Sequence, residues 1–369
     1  CKLGGPRQEG WYLRVDWLSP PAAKEMLQRW CIEEVEAAPL RVTPSFACNN
    51  VAFSSSLQQV VFAHRSSIHF HSALEGPMGE GSTRDVSDVL CVTMCERAGS
   101  GTEHSPLVAS TNTLVATGSS TGVQVFDSTG VLLMHHKLVG ASSEGSVPVQ
   151  CRTITHSPQG NLIIAGTDAG SLLYFAVARS HDIALTHEHK NAHTHSITAC
   201  YAAQLDDCPC LLSGDERGII ILWDISDPRS PHVRATIHAE EEDPQEADCC
   251  TGLVARGDIV LATYGSGTLR VFDLDGTPLQ EAAAHTRWIT GLALHPEQPL
   301  LATCSEDAIF SLWVLPEKGH ALEQPIEHVA SHTITDHVPV GIAFTGPRFK
   351  SLTVPCFDSH HFKVFSWSK

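Results

Sequence analysis

Leu300-Leu-Ala-Thr-Cys-Ser-Glu-Asp-Ala-Ile-Phe-Ser-Leu-Trp313 is the stretch on which the fold turns. Leu-Leu-Ala-Thr-Cys is apolar throughout, as a strand buried on both faces must be. Ser-Glu-Asp-Ala is a tight turn, where Asp tolerates the required dihedrals. Ile-Phe-Ser-Leu-Trp returns as a second strand ending in a large aromatic.

The same phrase recurs along the chain. It runs from Leu114 to Phe126-Asp127, from Leu162 to Phe175, from Leu211 to Trp223-Asp224 and from Val260 to Phe272-Asp273. A weaker copy runs from Leu352 to Phe365. The aromatic anchors Phe126, Phe175, Trp223, Phe272, Trp313 and Phe365 fall roughly 40 to 50 residues apart, the length of one four-stranded propeller blade. A further strand precedes each phrase, as in Ile289-Thr-Gly-Leu-Ala-Leu294 and Val340-Gly-Ile-Ala-Phe344. A degenerate seventh unit fits near the start, with Ala47-Cys-Asn-Asn-Val-Ala-Phe53, Gln59-Val-Val-Phe-Ala-His64 and Ser67-Ile-His-Phe-His71.

These residues resemble the WD-repeat family. The best copy, from His285 to Trp313, matches the family's buried hydrogen-bond tetrad at His285, Thr303, Asp307 and Trp313. An imidazole, a hydroxyl, a carboxylate and an indole N–H satisfy one another inside an otherwise apolar blade, so the resemblance implies a structural role for the four. The fourth blade keeps Trp223 but carries Arg217 where the structural Asp is expected. The expected fold is all-β: a seven-bladed WD40-type β-propeller over residues 45–369, preceded by an extension over residues 1–44. One helix is expected over about residues 21–36, with Met26, Leu27, Trp30 and Val35 near a single apolar face.

Composition narrows the function. The 369 residues are 42% hydrophobic and 18% charged, with a formal net charge of −17. No Lys/Arg cluster offsets that charge, so nucleic acid and anionic membrane surfaces are poor partners, and a basic protein surface is the natural complement. No run of 18 apolar residues exists, which predicts no membrane insertion. The 13 cysteines are odd in number and fall largely in strand-like runs, as buried thiols of a reducing compartment do.

Chemical motifs are missing. There is no phosphate-cradling Gly-rich loop with its Lys-Ser/Thr, no Gly-x-Ser-x-Gly elbow and no paired zinc-knuckle spacing. His187-Glu-His-Lys-Asn-Ala-His-Thr-His195 has metal-like spacing, but it lies at a blade link where the resemblance places a structural His, at His193 or His195. The expectation is therefore no catalytic residue, no cofactor, no metal and no small-molecule substrate. The resemblance implies a non-catalytic scaffold that binds other proteins within a larger cytoplasmic or cytoskeletal assembly, cilia included. Two alternatives are a ubiquitin-ligase substrate receptor and a propeller hydrolase with ligands in the central channel. Arg287 and Trp288, next to His285, and Trp30 in the extension are the candidate partner contacts, since Arg and Trp are enriched at interface hot spots.

Overall fold

The computed structural model describes residues 31–35, 39–72, 76–82, 88–96, 113–138, 148–179, 182–237, 247–316 and 324–368. Within them the chain forms seven four-stranded antiparallel sheets. Six are built from consecutive strands. In the sixth, Ile289–Leu294, Leu300–Ser305, Ile309–Val314 and Glu327–Thr333 pair in that order. The first strand of each sheet lies against the first strand of the next, and the seventh touches both the sixth and the first. The result is a closed ring of seven blades.

Closure is made by a segment that sequence reading assigns differently. The seventh sheet takes Ala343–Thr345, Ser351–Val354 and Lys363–Ser368 from the end of the chain. Its outer strand is Cys31–Val35, antiparallel to Lys363–Ser368 with Glu33 opposite Ser366. The helix expected over about residues 21–36 is thus not found: 31–35 is an edge strand, and 21–30, with Trp30, lie outside the described residues. The reason is that the open edge of the seventh blade offers a row of unpaired backbone groups, and pairing with them outweighs local helix preference. Ile32 packs against the Phe310, Phe344 and Phe365 cluster, and Lys363 Nζ reaches Glu34 at 2.8 Å.

Burial follows position in the blade. The second strands are buried at every residue in Leu162–Thr167, Ile259–Tyr264 and Leu300–Ser305. The outermost strands, such as His232–Ile237, are largely exposed. All six aromatic anchors are buried between blades. Phe310 and Phe365, from neighbouring blades, sit 4.6 Å apart.

Several histidines are enclosed in this packing. His156 bridges two inner strands through Thr93 Oγ1 at 3.1 Å. Burial lowers its pKa to about 4, against the opposing pull of Glu96. Burial lowers His69, His71, His295 and His328 as well. The folded state keeps these rings neutral, while the unfolded chain protonates them below their ordinary value near 6.5. Their contribution is therefore fully present above that value and is lost as pH falls below it, for His156 through about 4. Urea midpoints measured from pH 7 to 4.5 are expected to decline steadily, and His156→Gln is expected to flatten the decline. A midpoint constant over this range would contradict this account.

Candidate functional site

The polar groups buried in the blades form two matching networks. In the sixth blade Trp313 Nε1 donates to Thr303 Oγ1 at 3.1 Å, and Thr303 Oγ1 lies 2.9 Å from His285 Nε2. His285 Nδ1 lies 3.1 and 3.2 Å from the two Asp307 oxygens. A carboxylate only accepts, so Nδ1 carries the proton, Nε2 accepts from the threonine hydroxyl, and every group is satisfied with a neutral ring. Asp307 also accepts the backbone N–H groups of Thr286 and Ile309, both at 3.0 Å. Burial works to raise the Asp307 pKa, but the hydrogen bonds from His285 and the backbone prevail and hold it below the usual carboxylate range.

The fourth blade repeats the chain with different residues. Trp223 Nε1 donates to Ser213 Oγ at 2.8 Å, Ser213 Oγ meets His193 Nε2 at 2.7 Å, and His193 Nδ1 meets Asp215 at 3.0 Å. The carboxylate comes from two positions before Arg217, at the end of the strand Cys208–Asp215 rather than within the turn. Its other oxygen, Oδ1, accepts the Arg217 and Ile219 N–H groups at 2.9 and 3.0 Å. Sequence reading missed both Ser213 and Asp215. It left His193 and His195 as alternatives; His193 is the buried one, while the His195 ring bonds its neighbour Thr194.

Among the described residues, the blades anchored by Phe175 and Phe272 lack the network for a physical reason. Phe has no N–H to satisfy. Ala165 and Ala262 occupy the strand positions that Thr303 and Ser213 hold, in the blades anchored by Phe175 and Phe272.

The two networks also tie blades together. The N–H of His285 donates to the Gly267 carbonyl of the preceding blade at 2.9 Å, and that of His193 to Gly170 at 3.0 Å. Gly267 and Gly170 have φ of 90° and 74°, and a Cβ at either would collide with the carbonyl oxygen of the facing histidine.

The histidine-rich stretch does not converge. His187 and His189 meet edge to face with centroids 6.0 Å apart, His189 lies against Trp223, and His193 is spent on Asp215 and Ser213. Arg287 and Trp288 lie together just before the inner strand of the sixth blade. The Arg287 carbonyl accepts Ser305 Oγ at 3.1 Å and the Trp288 carbonyl accepts Glu306 N–H at 3.0 Å, leaving both side chains to the surface. Trp288 is 36% exposed.

This architecture defines the class: a seven-bladed β-propeller of the WD-repeat kind. The chain belongs to the WDR54 family, whose model matches residues 97–368. WD repeat-containing protein 54 of Mus musculus is 26% identical over 251 residues, covering 66% of this chain and 72% of that protein. The Target of rapamycin complex subunit wat1 of Schizosaccharomyces pombe is 29% identical over 121 residues, 31% of this chain and 37% of its own. Among solved structures, a chain of the "Crystal Structure of Mitotic Checkpoint Complex" superposes with a TM-score of 0.67 at 14% identity, covering 99% of this chain and 97% of its own; this likeness shows the fold alone.

The networks make a sharp contrast testable. Asp307→Ala and Asp215→Ala each strand a buried imidazole N–H and are expected to cost about 2–4 kcal/mol of unfolding free energy. Arg217→Ala, at an exposed turn, is expected to cost about 0.5 kcal/mol or less. Chemical denaturation of the three variants decides it; an Arg217→Ala loss equal to that of Asp215→Ala would contradict the assignment.

Proposed function

We propose that this protein is a non-catalytic interaction scaffold, a propeller subunit of a larger protein assembly. The observation that carries the reading is how the reactive-looking side chains are spent. His193, His285, Asp215 and Asp307 are committed to buried structural bonds. No group of three or more His, Cys, Asp or Glu that could hold a metal occurs among the described residues. What remains is a rigid ring with exposed loops, which suits docking of several proteins at once. Propellers of this family generally act by binding other proteins. A relative bears the name of a complex subunit, in line with the same role.

His285, Thr303, Asp307 and Trp313 act as structural residues in this reading, and Arg287 and Trp288 are partner contacts. The favoured setting is a cytoplasmic or cytoskeletal assembly, ciliary ones included. The acidic balance of the chain and its lack of basic clusters favour protein over nucleic acid as partner. No helix among the described residues is long and apolar enough to cross a membrane.

The test is isolation of the tagged protein from cells at mild salt, followed by size fractionation and quantitative mass spectrometry. Co-migration with a fixed set of proteins at constant stoichiometry is expected. Elution as a bare monomer across all conditions would overturn the reading.

A further inference from the structure

One mouth of the central channel is marked by a repeated backbone join. Where the chain enters an inner strand, a carbonyl accepts the N–H of the turn after the second strand. The pairs are Asp168 to Gln150, Glu216 to Ser196, Gly265 to Cys249 and Glu306 to Trp288, at 2.9–3.1 Å. These joins run through the third to sixth blades and set their residues around a common rim. Phe357, opposite Val338, stands at the matching place in the seventh blade. Phe46 comes from the segment before the first blade, where Asn49 N–H bonds the Thr290 carbonyl at 2.7 Å.

Large aromatics on the described surface gather here. Phe46, Phe357 and Trp288 are 55%, 46% and 36% exposed, and they are the exposed large aromatic side chains among the described residues. Phe46 and Phe357 meet edge to face at 5.8 Å. The Trp288 ring covers Gly265, where a Cβ would come within 2.8 Å of it. Such a patch is costly to leave in water and marks a contact surface.

Carboxylates recur along the rest of the rim. Asp168, Glu216, Asp248 and Glu306 lie along it, and Glu216 and Glu306 take no ion pair among the described residues. Burial raises the Cys48 thiol, which the Trp288 indole touches and which feels the charges of Glu306 and Arg152. Burial raises Cys249 to about 11, and it feels Cys48, Asp248 and Glu216. The two thiols thus lie within reach of Trp288, Glu306, Asp248 and Glu216, which places these aromatic and acidic groups on the same stretch of rim. Arg152, Arg217 and Arg287 interrupt the acidic run and keep it from being a uniform field.

We propose that this mouth is a docking site for a basic, apolar-anchored segment of a partner protein. An apolar side chain of the segment sits on Phe46, Phe357 and Trp288, and its Lys/Arg residues face Glu216, Asp248 and Glu306. Charge complementarity selects this occupant: the rim pairs aromatics with Glu216 and Glu306, which take no ion pair among the described residues, on a chain of net charge −17. The proposal rests on the scaffold reading and specifies its surface.

Two fluorescein-labelled 12-residue peptides with the same apolar pattern serve as probes, one with Lys/Arg and one with Glu at its polar positions. The basic peptide is expected to bind at least tenfold more tightly. Phe357→Ala/Trp288→Ala and Glu216→Lys/Glu306→Lys are each expected to weaken it at least tenfold. Glu188→Lys/Glu327→Lys makes the same charge change on exposed outer strands and is expected to leave binding within twofold. Thermal melts confirm that each variant is folded. Equal loss in both charge variants, or no preference for the basic peptide, would overturn the proposal. If cellular partners then remain bound to the mouth variants, the scaffold reading stands and only this surface is wrong.

Discussion

The pairing of Cys31–Val35 with Lys363–Ser368 is the constraint on which the rest of the molecule depends. Each blade is hydrophobic on both faces and is covered by its neighbours, so a row of seven would leave two faces and an edge bare. Joining a strand from before the first blade to the last blade removes both ends at once. The join is five residues long and mostly exposed, so its strength lies in geometry: it holds Phe365 against Phe310 and lets the seventh blade seal the first. A ring fixed in this way presents its loops as one rigid surface, which a string of independent sheets could not do.

Within the ring, one polar device recurs where it is needed. An indole fills the gap between blades well but brings an N–H that must be satisfied. Trp313 and Trp223 each come with a hydroxyl, an imidazole and a carboxylate, and the histidine backbone is then tied to a glycine of the preceding blade. Phe175 and Phe272 carry no such demand, and alanine replaces the hydroxyl beside them. The chemistry that looks like a catalytic triad is thus accounted for by bonds that hold the blades, and the channel mouth is the surface proposed for binding.

How much of this was readable in advance depended on whether the signal was local. The buried second strands, the turns and the aromatic anchors are short-range and repeat, so the blades were legible from Ala47 onward. The tetrad of the sixth blade was legible because its four residues keep family spacing. That of the fourth was not, since Asp215 reaches His193 from two positions earlier and Arg217 occupies the expected place. Cys31–Val35 misled because its partner lies 329 positions away at the Lys363–Glu34 pair, and an exposed edge strand shows little alternation. Met26, Leu27, Trp30 and Val35 meanwhile fit a helical period. At the channel mouth Trp288 was visible as an Arg-Trp pair beside His285, but Phe46 and Phe357 were not. They are single residues in the two most degenerate units, and only the closed ring brings them together.

The closure is tested most directly by a crosslink at its register. Cys31 lies opposite Ser368, so Ser368→Cys places a second thiol across the join. After mild oxidation, peptide mapping by mass spectrometry is predicted to find Cys31 bonded to position 368, with a raised unfolding midpoint that reduction reverses. Free thiols at both positions, or Cys31 bonded elsewhere, would contradict the closed seven-bladed ring.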